Sequence, residues 1–235
     1  MTREITVLAM TAASIGFFHT LLGPDHYLPF IMIAKARNWS LRKLVTITFL
    51  CGVGHVGGSI ILGAAGIAFG IALNKLELFE SVRGDLAAWA FISFGFLYMI
   101  WGIKKARRNK PHSHKHIHLN GSEHVHEHTH TVDHSHIHEN KQNITPWVLF
   151  IIFVLGPCEP LIPLLMYPAA RESISGIVIV AAVFAFTTIT TMITVVIIAG
   201  YGYRIVPLQK LERMSHALAG FIIMLSGLGI KFMGL

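Results

Sequence analysis

Leu22-Gly23-Pro24-Asp25-His26-Tyr27-Leu28-Pro29 is echoed later in the chain by Leu155-Gly156-Pro157-Cys158-Glu159-Pro160-Leu161-Ile162-Pro163, with one extra residue in the second copy. Both stretches interrupt long apolar runs. Proline removes a backbone donor and its ring clashes with the preceding turn, so Gly-Pro followed closely by another proline unwinds or kinks a helix. The break positions are therefore Gly23, Pro24 and Pro29 in the first copy and Gly156, Pro157, Pro160 and Pro163 in the second. The correspondence continues outward from the breaks. Ala36-Arg37 matches Ala170-Arg171, Gly66 falls at the spacing of Gly200, and Gly102-Ile103-Lys104 is echoed by Gly229-Ile230-Lys231.

The surroundings of the two breaks belong in lipid. Of the 235 residues 53% are hydrophobic and only 13% charged, with a mean hydropathy of +0.60, too little charge to clothe a soluble surface. Apolar runs near 5–33, 44–73, 84–104, 145–170, 174–201 and 213–234 are each long enough for a hydrocarbon core of about 30 Å. The first run follows Met-Thr-Arg-Glu without an Ala-x-Ala-like cleavage site, so it reads as a helix and not as a removed leader. Three spans per repeat is an odd number, which turns the second copy upside down relative to the first. The expected fold is all-α and integral to the membrane, with six transmembrane helices as two inverted three-helix repeats whose first helices are broken. The repeats cover 1–106 and 144–235, separated by a His-rich loop over 107–143.

The net charge of +7 does not indicate nucleic acid, because the basic residues sit between apolar runs and not on one polar face. Lys35, Arg37, Arg42, Lys43, Lys104, Lys105, Arg107, Arg108, Lys110, Lys115, Lys141, Arg204, Lys210 and Arg213 follow the first, third and fifth spans, whereas Arg3, Lys75, Arg83, Arg171 and Lys231 fall on the other side. The positive-inside rule then makes the His-rich loop cytoplasmic and both termini external, in a prokaryotic inner or plasma membrane. That loop holds His112, His114, His116, His118, His124, His126, His128, His130, His134, His136 and His138, eleven of the fifteen histidines. Such a tract cannot build a packed core and is expected to be a mobile loop that captures divalent metal as neutral imidazoles, with a cytoplasmic metallochaperone as a possible docking partner.

Polar groups at membrane depth are costly and mark function. The breaks hold Asp25, His26, Cys158 and Glu159; His19 lies seven residues before His26, and His55 sits mid-span among small residues in Gly54-His55-Val-Gly-Gly-Ser59. Imidazole with carboxylate and a possible thiolate suits nickel, cobalt or zinc better than magnesium or calcium. Each has a structural alternative: His55 as a hydrogen-bonded packing residue, Glu159 as a proton carrier. Cys51 and His216 read as packing or interfacial residues. No Gly-x-x-x-x-Gly-Lys-Ser/Thr motif is present, so nucleotide-driven pumping is not indicated, and no enzyme activity is expected.

His19-Thr-Leu-Leu-Gly-Pro-Asp25-His26 resembles the His/Asp-His signature of the nickel/cobalt transporter superfamily, and Gly54-His55-Val-Gly-Gly-Ser59 is similar to its second signature. Five residues separate His19 from Asp25 where that family has four, and the six spans point to its shorter UreH-like or HupE-like permeases. The resemblance, which covers the first two spans well and the rest only in layout, implies transport of nickel, cobalt or zinc as cargo with no cofactor tightly bound; with the polar residues of the second break added, the expected midplane site is His19, Asp25, His26, His55, Cys158 and Glu159. Leu155-Gly-Pro-Cys158-Glu-Pro160 also resembles the proline-flanked cysteine motifs of transmembrane thiol–disulfide conduits in cytochrome c biogenesis. Chemistry argues against that reading here, because relay by thiol exchange needs two cysteines that can meet, the repeat partner of Cys158 is Asp25, and Cys51 lies in a different helix without a Pro-Cys setting. Electron transfer is therefore the alternative to metal transport. A membrane-anchored metal sensor is a third class, which the broken helices do not require.

Overall fold

The computed structural model describes residues 3–108, 112–117, 123–128, 144–158, 160–171, 173–205 and 214–233. Helix α1 (Arg3–Leu22) stops at Gly23, the chain makes one 3-10 turn over Pro24–His26, and helix α2 (Leu28–Ala36) resumes. A tight turn follows, with Asn38 in the left-handed region that its short polar side chain tolerates. Ser40 then caps α3 (Leu41–Ala68) by accepting the Lys43 N–H. Helix α4 (Leu73–Arg108) runs to the His-rich tract, where β1 (His112–Ile117) pairs antiparallel with β2 (Glu123–His128). Helix α5 (Thr145–Leu155) ends at the second break and α6 (Leu161–Ala170) continues beyond it. Long α7 (Ile174–Ile205) and then α8 (Ser215–Met233) complete the described chain.

Five of these helices are long and apolar enough to cross a membrane: Arg3–Leu22, Leu41–Ala68, Leu73–Arg107, Ile174–Gly202 and Ser215–Met233. Thr145–Leu155 and Leu161–Ala170 are apolar but individually short, because the second break divides what the sequence suggests is one span. Both breaks fall where the prolines predict them, and α2 and α6 end alike, at Ala36 before Arg37 and at Ala170 before Arg171. One expectation needs correction. The sequence reads Arg83 as a loop residue, yet α4 begins ten residues earlier and carries it inside the bundle, since its apolar face continues past the charges. The His-rich tract lies between α4 and α5, as the sequence places it. Its period-two alternation lets two six-residue stretches pair, with His112 opposite His128, His114 opposite His126 and His116 opposite His124.

Three apolar clusters hold the bundle among the described residues, the smallest of them Ala36, Tyr98 and Ala219. One gathers Phe30, Ile33, Leu44, Cys51, Phe91, Leu149, Phe153, Met192 and Ile223 from α2, α3, α4, α5, α7 and α8. Another gathers Ala12, Val56, Cys158, Leu161, Leu165, Val180 and Phe184 around the second break. Large apolar side chains such as Phe69, Phe186, Ile61 and Trp147 point outward, as a bundle solvated by lipid tails requires. Helices α4 and α8 approach most closely. A Cβ added at Gly220 would collide with the Met99 backbone, and one at Gly227 would lie 2.7 Å from Phe91 Cβ.

Candidate functional site

The first break creates a polar cluster in an apolar bundle. At Gly23 the helix ends with its N–H still bonded to the His19 carbonyl, and the 3-10 turn folds His26 back toward His19. A side chain at position 23 would not fit, because its Cβ would lie 2.7 Å from His26 Nδ1 and 2.9 Å from the His19 carbonyl oxygen. His26 is 2% exposed, and its Nδ1 stands 3.1 Å from the Gly23 carbonyl and 3.2 Å from Asp25 Oδ1. His55 reaches the same point from the middle of α3. Its Nδ1 lies 3.3 Å from the Phe153 carbonyl, an acceptor exposed by the end of α5. The rings of His19 and His26 have centroids 4.8 Å apart and those of His26 and His55 5.1 Å apart, both edge to face.

One ring nitrogen from each of His19, His26 and His55 lies within 4.8 Å of the other two. The Nε2 atoms of all three are buried and have no hydrogen-bond partner among the described residues. Leaving such an atom unsatisfied costs about 1–3 kcal/mol, so three together are a feature that packing alone does not explain. A cavity of about 170 Å³ opens beside them, lined also by Asp25, Gly84, Phe153, Pro157 and Pro160. Its lining extends to the exposed carboxylate of Asp85, which pairs with Lys231 of α8 at 2.6 Å.

The second break is held differently. Arg83 donates to the Val154 carbonyl at 2.9 Å and the Gly156 carbonyl at 3.3 Å, while its other nitrogen meets Glu80 and, at 3.4 Å, Ser59 Oγ. Carbonyls freed by a helix break in lipid must find donors inside the protein, and Arg83 supplies them. Ser59 Oγ also accepts the Cys158 N–H at 3.1 Å, so α3 is tied to the break at two levels. The Cys158 side chain is fully buried and packs with Ala12, Val56 and Phe184 instead of lining the cavity. Neither Cys158 nor Cys51 is in a disulfide.

Of the six transport-site candidates, His19, Asp25, His26 and His55 come together, Cys158 packs elsewhere, and Glu159 lies outside the described residues. Of the loop histidines, His112, His114, His116, His124, His126 and His128 have a described backbone; His118, His130, His134, His136 and His138 lie outside the described residues. Sequence reasoning missed the Glu80–Arg83 clasp, although two opposite charges at i and i+3 within an apolar helix are its signature. His216 reads from the sequence as packing or interfacial, and its polar partners were missed: Tyr98 joins Arg37 and His216, and Lys105 lies against His216.

No curated protein and no solved structure matches the chain. A family model does match, that of the cytochrome C biogenesis protein transmembrane region, over residues 29–229. This overturns the nickel/cobalt transporter resemblance and, with it, the reading as a nickel, cobalt or zinc transporter. The resemblance rested on two short signatures of Gly, Pro, His and Asp. Those residue types arise wherever a broken membrane helix buries polar groups, whereas the family match follows the pattern of helices through six-sevenths of the chain. By that match the chain is an integral membrane protein and belongs to the cytochrome c biogenesis transmembrane-region family.

Proposed function

We propose that the protein transfers electrons by thiol–disulfide exchange within the membrane, with Cys158 as the exchanging thiol. The observation that carries this reading is the setting of Cys158 in a chain of this family: it lies in the unwound segment between α5 and α6, between Pro157 and Pro160, with its N–H held by Ser59. Cys51 is a poor resolving thiol. It is eight residues before Ser59 on unbroken α3, an axial separation of about 12 Å, whereas bridged cysteines need Cα atoms within about 7 Å. Cys51 belongs to the apolar core.

Exchange through one thiol balances when both partners bring thiol pairs. The Cys158 thiolate attacks an acceptor disulfide, forming a mixed disulfide and releasing one acceptor thiolate. A thiolate of a donor dithiol then attacks the Cys158 sulfur, releasing the second acceptor thiolate. The donor's other thiol closes the donor disulfide and regenerates Cys158. Two electrons and two protons pass from donor to acceptor, which makes the protein an oxidoreductase-type exchanger. Because Cys158 is fully buried, the Gly156-Pro157 joint must open for each attack.

The inverted repeat and the division into 1–106, 107–143 and 144–235 form part of the same reading. What supports them is reciprocal packing: α1 packs on α7 of the other half, and its counterpart α5 packs on α3, while α3 meets α7 and α4 meets α8 across the pseudo-symmetric centre. Opening one break against the opposite long helix would expose the thiol to one side at a time.

The test is acid-quenched thiol trapping in membranes from expressing cells. Cys158→Ser should abolish both the mixed disulfide and reduction of the acceptor, while Cys51→Ser should leave both in place. Full acceptor reduction by Cys158→Ser at normal membrane levels would sink the proposal.

A further inference from the structure

We infer that His19, His26 and His55 form a resident site for one divalent transition-metal ion, bound through three neutral imidazole Nε2 atoms with a fourth position open to the adjoining cavity. The ion is a fixed component that ties the first helix break to α3, and the site stands independently of the exchange chemistry at Cys158. Two of the three tautomers follow from the neighbours. The Nδ1 of His55 faces the Phe153 carbonyl and that of His26 faces the Gly23 carbonyl, so each Nδ1 carries the proton and each Nε2 presents its lone pair. Those lone pairs are the buried atoms that no other described group satisfies.

The donor set selects the ion. Three imidazoles with an open position suit zinc, cobalt(II) or nickel(II), whereas magnesium and calcium want oxygen. At metal–nitrogen distances of about 2.0–2.1 Å, tetrahedral ligand nitrogens lie about 3.4 Å apart. Nitrogens within 4.8 Å of one another reach that geometry through small side-chain rotations. Asp25 bonds to His26 Nδ1, the place of the carboxylate that orients a metal-bound histidine and raises its basicity. We therefore assign Asp25 as a positioning residue and not as a ligand. The cavity of about 170 Å³ leaves room for water or a small anion at the fourth position.

The experiment loads the purified full-length protein with cobalt(II) in detergent micelles. A parallel chain has all eleven loop histidines replaced by Gln, which removes binding by the His-rich tract. After gel filtration, cobalt is counted by mass spectrometry and its geometry read from the visible d–d absorption. The loop-substituted chain should retain about one ion with the intense bands of a tetrahedral site. On that background His55→Gln and His19→Gln should each lose the bands. Asp25→Asn should keep them with affinity weakened about 10–100-fold. Cys158→Ser should bind cobalt unchanged, so failure here and failure of the exchange reading are distinguishable. His19 is less buried than His55, so His19→Gln decides the matter where His55→Gln does not fold. A folded loop-substituted chain that retains no cobalt, or the same bands in both histidine variants, overturns the site.

Discussion

At the scale of single residues, the first break depends on an absent side chain. Gly23 sits between the His19 carbonyl and the His26 ring, and no larger residue fits without displacing one of them. Gly23→Ala should therefore destabilise the protein by about 1–3 kcal/mol, the usual cost of overpacking, seen as a lower unfolding temperature in detergent. A smaller effect than that of Gly57→Ala would contradict it, because a Cβ at Gly57 meets nothing within 4 Å. His19, Asp25, His26 and His55 were legible in the sequence because lipid makes polar groups conspicuous. Their partners were not, since the Gly23 and Phe153 carbonyls are backbone groups that every residue has. Which of them is released by a break depends on where helices end and which helix lies opposite.

At the scale of elements, the two breaks are built alike but held differently. The first satisfies itself through the 3-10 turn and His26, while the second borrows Arg83 from α4 and Ser59 from α3. Arg83→Met removes donors from the Val154 and Gly156 carbonyls and separates a close ion pair with Glu80, which is itself only 2% exposed. The expected loss is about 3 kcal/mol, the lower end for a broken buried pair because Arg83 is partly exposed. Thermal unfolding should show it, together with faster alkylation of Cys158 as the α5–α6 joint loosens. Unchanged alkylation would mean that Arg83 stabilises α4 and not the break. The close α4–α8 seam supplies a second check at this scale. Gly220→Leu meets the Met99 backbone, which cannot yield as a side chain can, so this variant should fail to accumulate in membranes while Ala64→Leu, on a helix face turned outward, accumulates normally.

At the scale of the whole molecule, reciprocal packing of the two halves predicts that the chain ends and the His-rich tract lie on opposite sides of the bilayer. A reporter inserted near Gly121 should read cytoplasmic and one fused at Leu235 external; the same side for both would end the inverted-repeat reading. Sequence alone determined that the chain lives in lipid, that two helices break at Gly23-Pro24 and Gly156-Pro157, and that polar side chains gather there. These are consequences of local covalent chemistry and of the cost of moving polar groups out of water. Tertiary structure decided which of those polar groups share a site. The two breaks carry Asp25 and Cys158 at corresponding positions, yet Asp25 turns into the histidine cavity while Cys158 turns into the apolar core of α1, α3 and α7. The direction of a side chain leaving an unwound segment is set by local dihedrals and by the helix that packs across it, and neither is written in residue spacing.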